Sequence, residues 1–345
     1  MRKDISLGEM TAQSGEIVKG YWKIAELYDG SAVKIPVAIV NGLEDGKIIW
    51  IQSTVHGDEY VGTHAIQRFL TEVDSKKVKG AIIAIPWLNV LAYRGGTRGA
   101  PQDGMDMNRI WPGKPLDTAM HLFTHSELLV NAVFQEMKRF ADVVLDLHDG
   151  GWMGRMSSYI QYYYSNSHPE DSIKSRNIAE ASGMDIIWES PADFVDEKAP
   201  GSVGTATMKF RIPTLTVEIG GEGRCPDYDV TRMYLSIVNV ARYLNILPDQ
   251  IQPHPRAMGK KLYVRKGNWL RPKRGGSYVP KVEPGTIINK GDIVAEVKNA
   301  FGETVERLLS PVDGVVIGMR TYGTIATGQY AGNVAALVSC LDGGE

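Results

Sequence analysis

The alternation of apolar and polar positions changes rhythm along this chain, and the changes divide it. From about residue 16 to 40, "EIVKGYWKIAEL" and "AVKIPVAIVNG" carry strand character on either side of the turn "YDGS", which predicts a hairpin. "KIIWIQST" is a short apolar run, "EYVGTHAIQRFLTEV" has apolar positions at helical spacing, and "GAIIAIPWLNV" is a further apolar run of strand length. A strand–helix–strand unit of this kind makes parallel neighbours joined by a right-handed crossover. "HSELLVNAVFQEMKRF", "DSIKSRNIAEASGM" and "DVTRMYLSIVNVARYLNIL" predict helices, and "ADVVLDLHDGG", "SYIQYYYS" and "IPTLTVEIGGEG" predict strands between them. The alternation points to an α/β fold, a mixed and mostly parallel sheet flanked by helices.

The helical period vanishes after "PDQIQPHPRAMGK". Beyond it, short runs are punctuated by "EPG", "NKGD", "FGE" and "VDG", the pattern of a small all-β unit. The expected organisation is a catalytic α/β domain over 1–248, a linker over 249–260 and a small C-terminal β-barrel or sandwich-hybrid domain over 261–345. At 345 residues the chain is long enough for two domains. Its net charge of −2, from 38 basic and 40 acidic residues, offers no surplus for nucleic acid. No apolar stretch of membrane-spanning length occurs and "MRKDISLGEMTAQSGE" has no signal-peptide core, so the expected location is the cytoplasm, with no membrane partner. Cys225 and Cys340 form no C-x-x-C pair, which argues against a disulfide framework or a thiolate metal site.

Three strand-like runs end in acid or histidine: "IQSTVHGDE", "VLDLHDGG" and "TVEIGGEG". In an open α/β sheet, ligands bind beyond the carboxyl ends of the strands, so His56, Glu59, His148 and Glu218 are candidates to converge on one edge. Two imidazoles and a carboxylate suit a catalytic zinc that keeps a position for water, and a further carboxylate suits a general base. Taken singly, each has an ordinary explanation: a chance H-x-x-E, a core histidine, a paired acid. The conjunction carries the inference.

Between these runs lies "YRGGTRGAPQDGMDMNRIWPG", residues 93–113, with five glycines, three arginines and little periodicity. Such a loop is either functional or a solvated surface segment. Asn108 and Arg109 together offer donors for a carboxylate. The chain has no G-x-S-x-G, H-E-x-x-H, G-x-G-x-x-G or P-loop pattern. His64, His121, His125, His168 and His254 lack acid partners recognisable in sequence, and packing or surface roles are expected for them. Tyr162, Tyr163 and Tyr164 suit strand packing.

Taken in order, "HGDEYVG", "MDMNRIWPG", "DLHDGG" and "TVEIGG" resemble the succinylglutamate desuccinylase/aspartoacylase family, part of the zinc carboxypeptidase-like (M14) superfamily. The resemblance spans roughly residues 30–245. It implies His56, Glu59 and His148 as ligands of one zinc ion per subunit, Glu218 as general base and acid, and Asn108 and Arg109 as the grip on a substrate carboxylate. Arg98 falls where the family often carries a carbonyl-polarising arginine, with Arg94 close by as the alternative. The implied activity is zinc-dependent deacylation of an N-acyl amino acid or close analogue. A metallocarboxypeptidase on short peptides or cell-wall fragments, and a non-catalytic binder on the same fold, are the alternatives. The resemblance also allows a homo-oligomer.

Asp149 departs from the small residue that many relatives carry after the third ligand. It either points away at the strand end or favours a substrate with a positive group, such as an acylated diamino acid. "LLSPVDGVVIG" resembles a biotinyl/lipoyl-type barrel, but Lys298 lies outside any attachment motif, so no attached cofactor is expected.

Overall fold

The computed structural model describes residues 2–116, 124–192, 201–254 and 257–342. A short hairpin, β1 (Ile5–Leu7) and β2 (Met10–Ala12), precedes the expected long one, β3 (Ile17–Glu26) antiparallel to β4 (Ala32–Asn41). Then come β5 (Glu44–Ser53), α1 (Val61–Glu72), β6 (Lys79–Ile85), α2 (Val90–Gly95), α3 (His125–Phe140), β7 (Val143–His148) and β8 (Gly154–Tyr164). The α/β part ends with α4 (Pro169–Ala181), β9 (Ile186–Pro191), α5 (Val203–Met208), β10 (Thr214–Gly221) and α6 (Asp227–Tyr243). The rest is strands: β11 (Lys260–Leu270), β12 (Gly276–Pro280), β13 (Ile287–Ile288) and β14 (Ile293–Lys298). β15 (Thr304–Leu309), β16 (Gly314–Arg320), β17 (Thr324–Ile325) and β18 (Gly332–Asp342) complete it.

One 12-stranded sheet runs β13-β16-β18-β11-β9-β8-β10-β7-β5-β6-β4-β3. Its centre, β6-β5-β7-β10, is parallel. Every residue of β7, "VVLDLH", is buried, as a strand covered by helices on both faces requires. On one face α1, α4 and α6 bury Val61, Phe69, Ile178, Met233 and Ile237. On the other, α3 buries Leu129, Val130, Val133 and Phe134. Each such side chain contributes about 1.5–3 kcal/mol when fully buried. Helix α3 begins where Thr124 and Glu127 close a reciprocal capping box.

The expectation of a mostly parallel sheet holds for this centre and for β8-β9-β11, while the flanking pairings are antiparallel. The C-terminal strands bury a core of their own, Tyr278, Val294, Val297, Leu308, Val316 and Val334, drawn from β16 and β18 and from β12, β14 and β15, but they join the α/β sheet and do not close as a separate barrel. β11 pairs with β9, β18 with β11, β16 with β18, and β16 returns to the start of β8. These five strands close a ring around Tyr159, Ile186, Leu262, Val264 and Ile317. Of the C-terminal strands, β15-β14-β12-β17 make a separate sheet. The cause is the length of β8: its first residues, Gly154 to Met156, extend past β9 and offer an edge that β16 takes. No helix among the described residues is long and apolar enough to cross a membrane.

Candidate active site

Strands β5, β7 and β10 lie side by side and parallel, so their carboxyl ends open on one edge. Thr54, with φ +59°, ends β5 and turns the chain into the His56–Glu59 segment. Gly57 is obligatory there, because a Cβ would lie 2.0 Å from the Ala92 carbonyl carbon. Here the three expected ligands meet: His56, Glu59 and His148 bring one donor atom each to within 4.8 Å of one another.

The Glu59 carboxylate lies between the two imidazoles, with Oε1 2.6 Å from His56 Nδ1 and Oε2 2.7 Å from His148 Nδ1. The far nitrogen of each ring is held by another acid. His56 Nε2 is 3.0 Å from Asp106 Oδ1, and His148 Nε2 is 2.8 Å from Asp146 Oδ2. When Nε2–H donates to a carboxylate, Nδ1 presents its lone pair, and ring orientation is fixed. The donor set therefore fits a divalent metal. Burial works against the Glu59 charge, but the flanking histidines hold its carboxyl well below the usual range. Burial likewise opposes protonation of His148, yet Asp146 and Glu59 raise it.

Glu218 is the Cα register partner of His148 across β10 and β7. Its Oε2 is shielded from solvent and has no hydrogen-bond partner among the described residues. Burial pushes the carboxyl up to about 8, His148 pulling against it and Glu59 and Asp149 pushing with it. Just beyond, the ladder slips between Glu218 and Gly220. Gly221 has φ +135°, and a Cβ on it would lie 2.2 Å from the Gly154 carbonyl oxygen. The glycines after the acid thus let the segments at 150–154 and 220–221 cross at backbone distance.

The 93–113 loop is tied down along its length and is not a loosely solvated segment. Gly57 N donates to the Arg98 carbonyl at 3.3 Å, the backbone N and Oγ of Ser126 bond Asp103, and buried Trp111 pairs with Gly201. Arg98 Nε donates to Asp106 Oδ2 at 3.1 Å, and its Nη1 lies 3.6 Å from Glu59 Oε1. Arg94 is exposed in α2, with no hydrogen bond or ion pair among the described residues, so Arg98 is the arginine brought to the cluster. Asn108 and Arg109 form one 3₁₀ turn with Met107, capped by Asp106. Asn108 Oδ1 is buried without a partner, while Arg109 is exposed and donates to the Asn108 carbonyl at 2.8 Å.

Asp149 has a structural task. Its Oδ2 accepts from Tyr60 N (2.7 Å) and Val61 N (2.9 Å) at the start of α1, and its Oδ1 accepts from Gly151 N at 2.8 Å. Both oxygens accept backbone N–H groups, so the residue has a role in the fold that needs no substrate contact. Asp106 and Asp146 were not foreseen. Asp146 carried a usable signal, since residues two apart on a strand share a face and Asp146 precedes His148 by two. Asp106 carried none.

No other histidine among the described residues joins the cluster. His125 packs edge-on against Tyr28 at 5.5 Å, and His254 is buried with Nε2 2.9 Å from the Ser182 carbonyl oxygen. His168 neighbours Glu170 and Asp171, but Arg211 pairs with both carboxylates. His121 lies outside the described residues. Tyr162 donates to Glu189 at 2.6 Å, Tyr163 is buried and Tyr164 lies beneath Arg265, so the tyrosine run packs strands.

Residues 45–244 match the succinylglutamate desuccinylase/aspartoacylase catalytic domain. The chain belongs to that family. Along 93% of its length it is 34% identical to the N-alpha-acetyl-L-2,4-diaminobutyric acid deacetylase of Halomonas elongata, covering 92% of that protein. Among solved structures, a succinylglutamate desuccinylase from Silicibacter sp. TM1040 superposes with a TM-score of 0.82 at 22% identity, over 94% of this chain and 96% of that one. The product-bound ectoine utilization protein EutE (DoeB) from Ruegeria pomeroyi gives 0.80 at 21% identity, over 93% and 95%. At these identities the superpositions establish the shared fold. They extend over the C-terminal strands as well as the family's catalytic domain.

Proposed function

We propose that this protein is a zinc-dependent amide hydrolase that deacylates an N-acyl amino acid, with an N-acetylated diamino acid as its substrate class. One observation carries the chemistry: a carboxylate with an idle, shielded oxygen, Glu218, stands in register beside a His–Glu–His cluster. The diaminobutyric acid deacetylase relative supports the substrate class.

His56, Glu59 and His148 would hold the metal, which when bound supplies a Lewis acid for the acyl carbonyl and lowers the pKa of water to about 7. Glu218 takes a proton from the attacking water and returns it to the departing amide nitrogen, so the C–N bond breaks to give a carboxylate and a free amine. Arg98 donates to the carbonyl oxygen as negative charge develops on it. Asn108 and Arg109 hold the substrate carboxylate. Asp106 and Asp146 keep the two imidazoles turned for ligation.

The test is a mixed panel of N-acyl amino acids incubated with zinc-loaded protein and with chelator-treated protein, read by mass spectrometry. Chelator-sensitive loss of the N-acetyl diamino acid is the expected result. Turnover of peptides alone, or no turnover with zinc bound, would refute the proposal.

A further inference from the structure

Six carboxylates surround the candidate metal cluster, and their hydrogen bonds separate them. Glu59, Asp106, Asp146 and Asp149 have both oxygens engaged, by imidazoles, Gln52, Arg98 or backbone amides. Two have an idle oxygen. One is Glu218, already given a role; the other is Asp58, whose Oδ1 is buried with no partner. Its other oxygen has only a long contact, 3.4 Å from the backbone N of Trp152, and no lysine or arginine among the described residues is ion-paired with it. A shielded carboxylate oxygen without a donor is costly unless something brings one.

The surroundings define that donor. Asp58 sits in the turn between His56 and Glu59, one residue from a cluster ligand. Gly151 fits tightly against it: a Cβ there would lie 2.6 Å from Asp58 Oδ2. Tyr60 follows it by two residues and Trp152 supplies the backbone N–H; the rings of these two meet edge to face at 6.3 Å, and Tyr93 continues the aromatic series 6.0 Å from Tyr60. A carboxylate beside aromatic rings is a recognition site for an alkylammonium, which gains both a charge-assisted hydrogen bond and attraction to the ring faces.

Building on the deacylase reading above, we propose that Asp58, with the neighbouring Tyr60–Trp152 ring pair, recognises the side-chain ammonium of the diamino acid. Asp58 is then the residue that sets selectivity for a cationic substrate. The positive-charge preference that the sequence allowed for Asp149 is thereby assigned to Asp58, because Asp149 holds the start of α1.

The test compares zinc-loaded wild type with Asp58→Asn, matched for metal content, on N-acetyl-2,4-diaminobutyrate and on N-acetyl-2-aminobutyrate, which lacks only the ammonium. The ratio of kcat/KM between the two substrates should fall about tenfold or more, chiefly through KM on the cationic one. An equal loss on both substrates, or an unchanged ratio, overturns the assignment. If Asp58→Asn does not retain metal, Trp152→Leu, at a half-exposed side chain, takes its place, with a fall of about threefold in the same ratio expected. If wild type hydrolyses neither substrate, the deacylase reading fails, and calorimetric binding of 2,4-diaminobutyrate decides the cation site by itself. Binding weakened by the substitution upholds it; no binding, or equal binding by both proteins, overturns it.

Discussion

Glu218 and His148 are register partners across the parallel pair β10 and β7, and His148 Nδ1 lies 2.7 Å from the carboxylate of Glu59. Backbone ladders, rather than loops, therefore set two of the four groups at the site. A one-residue slip of either strand would send its functional side chain to the opposite face. The remaining two, His56 and Glu59, come from a turn held by Gly57 against Ala92. Rigid elements with a short, sterically fixed turn suit chemistry that depends on placement within a fraction of an ångström.

Asp146 holds His148 Nε2 at 2.8 Å while its other oxygen accepts from Gln52 at 2.9 Å. Asp146→Asn is expected to weaken zinc binding about 10- to 100-fold with little change in fold. Competitive titration with a chromophoric chelator measures this. An unchanged zinc affinity would remove Asp146 from the metal-orienting role.

Asp149 satisfies three backbone amides, two of them at the start of α1. Asp149→Ala leaves those donors buried and unpaired, so a loss of about 2 kcal/mol in unfolding free energy is expected. Chemical denaturation of metal-free protein reads it directly. Stability equal to wild type would show that the cap is dispensable.

His254 gives a pH dependence far from the site. Burial pushes this imidazole down to about 4, against the hydrogen bond from its Nε2 to the Ser182 carbonyl, and its Nδ1 is buried with no partner. The unfolded chain, with an ordinary imidazole near 6.5, takes up a proton that the folded chain refuses. Its contribution is therefore complete above pH 6.5 and is lost as pH falls from there to about 4. Unfolding free energies of wild type and His254→Gln should diverge in slope across that window, with the variant flatter. Parallel curves would rule the residue out as a source of acid sensitivity.

The sequence made the α/β core legible because its signals are local. The run "VVLDLH" is apolar enough for a central strand, and α3 spans the stretch whose periodicity marked it. His56, Glu59, His148 and Glu218 were recognisable because each ends a strand-like run in an order that a known family shares. The strand partners were less accessible. Nothing in "SYIQYYYS" says that β8 outlasts β9 and joins β16, since alternation sets a strand's faces but not its neighbours. The role of Asp149 was equally hidden, because its partners Tyr60 and Val61 lie some ninety residues earlier and come together only when α1 packs beside β7. Asp106 reaches His56 from a loop with no period at all.

The central claim is that Glu218 moves the proton beside a zinc ion held by His56, Glu59 and His148. The most direct measurement is steady-state hydrolysis of N-acetyl-2,4-diaminobutyrate by zinc-loaded Glu218→Gln, with metal content determined on the same sample. The account predicts full zinc occupancy and a kcat lower by about 100- to 10,000-fold, since general acid–base catalysis is worth that much. A variant that holds zinc normally and turns over at the wild-type rate would contradict it.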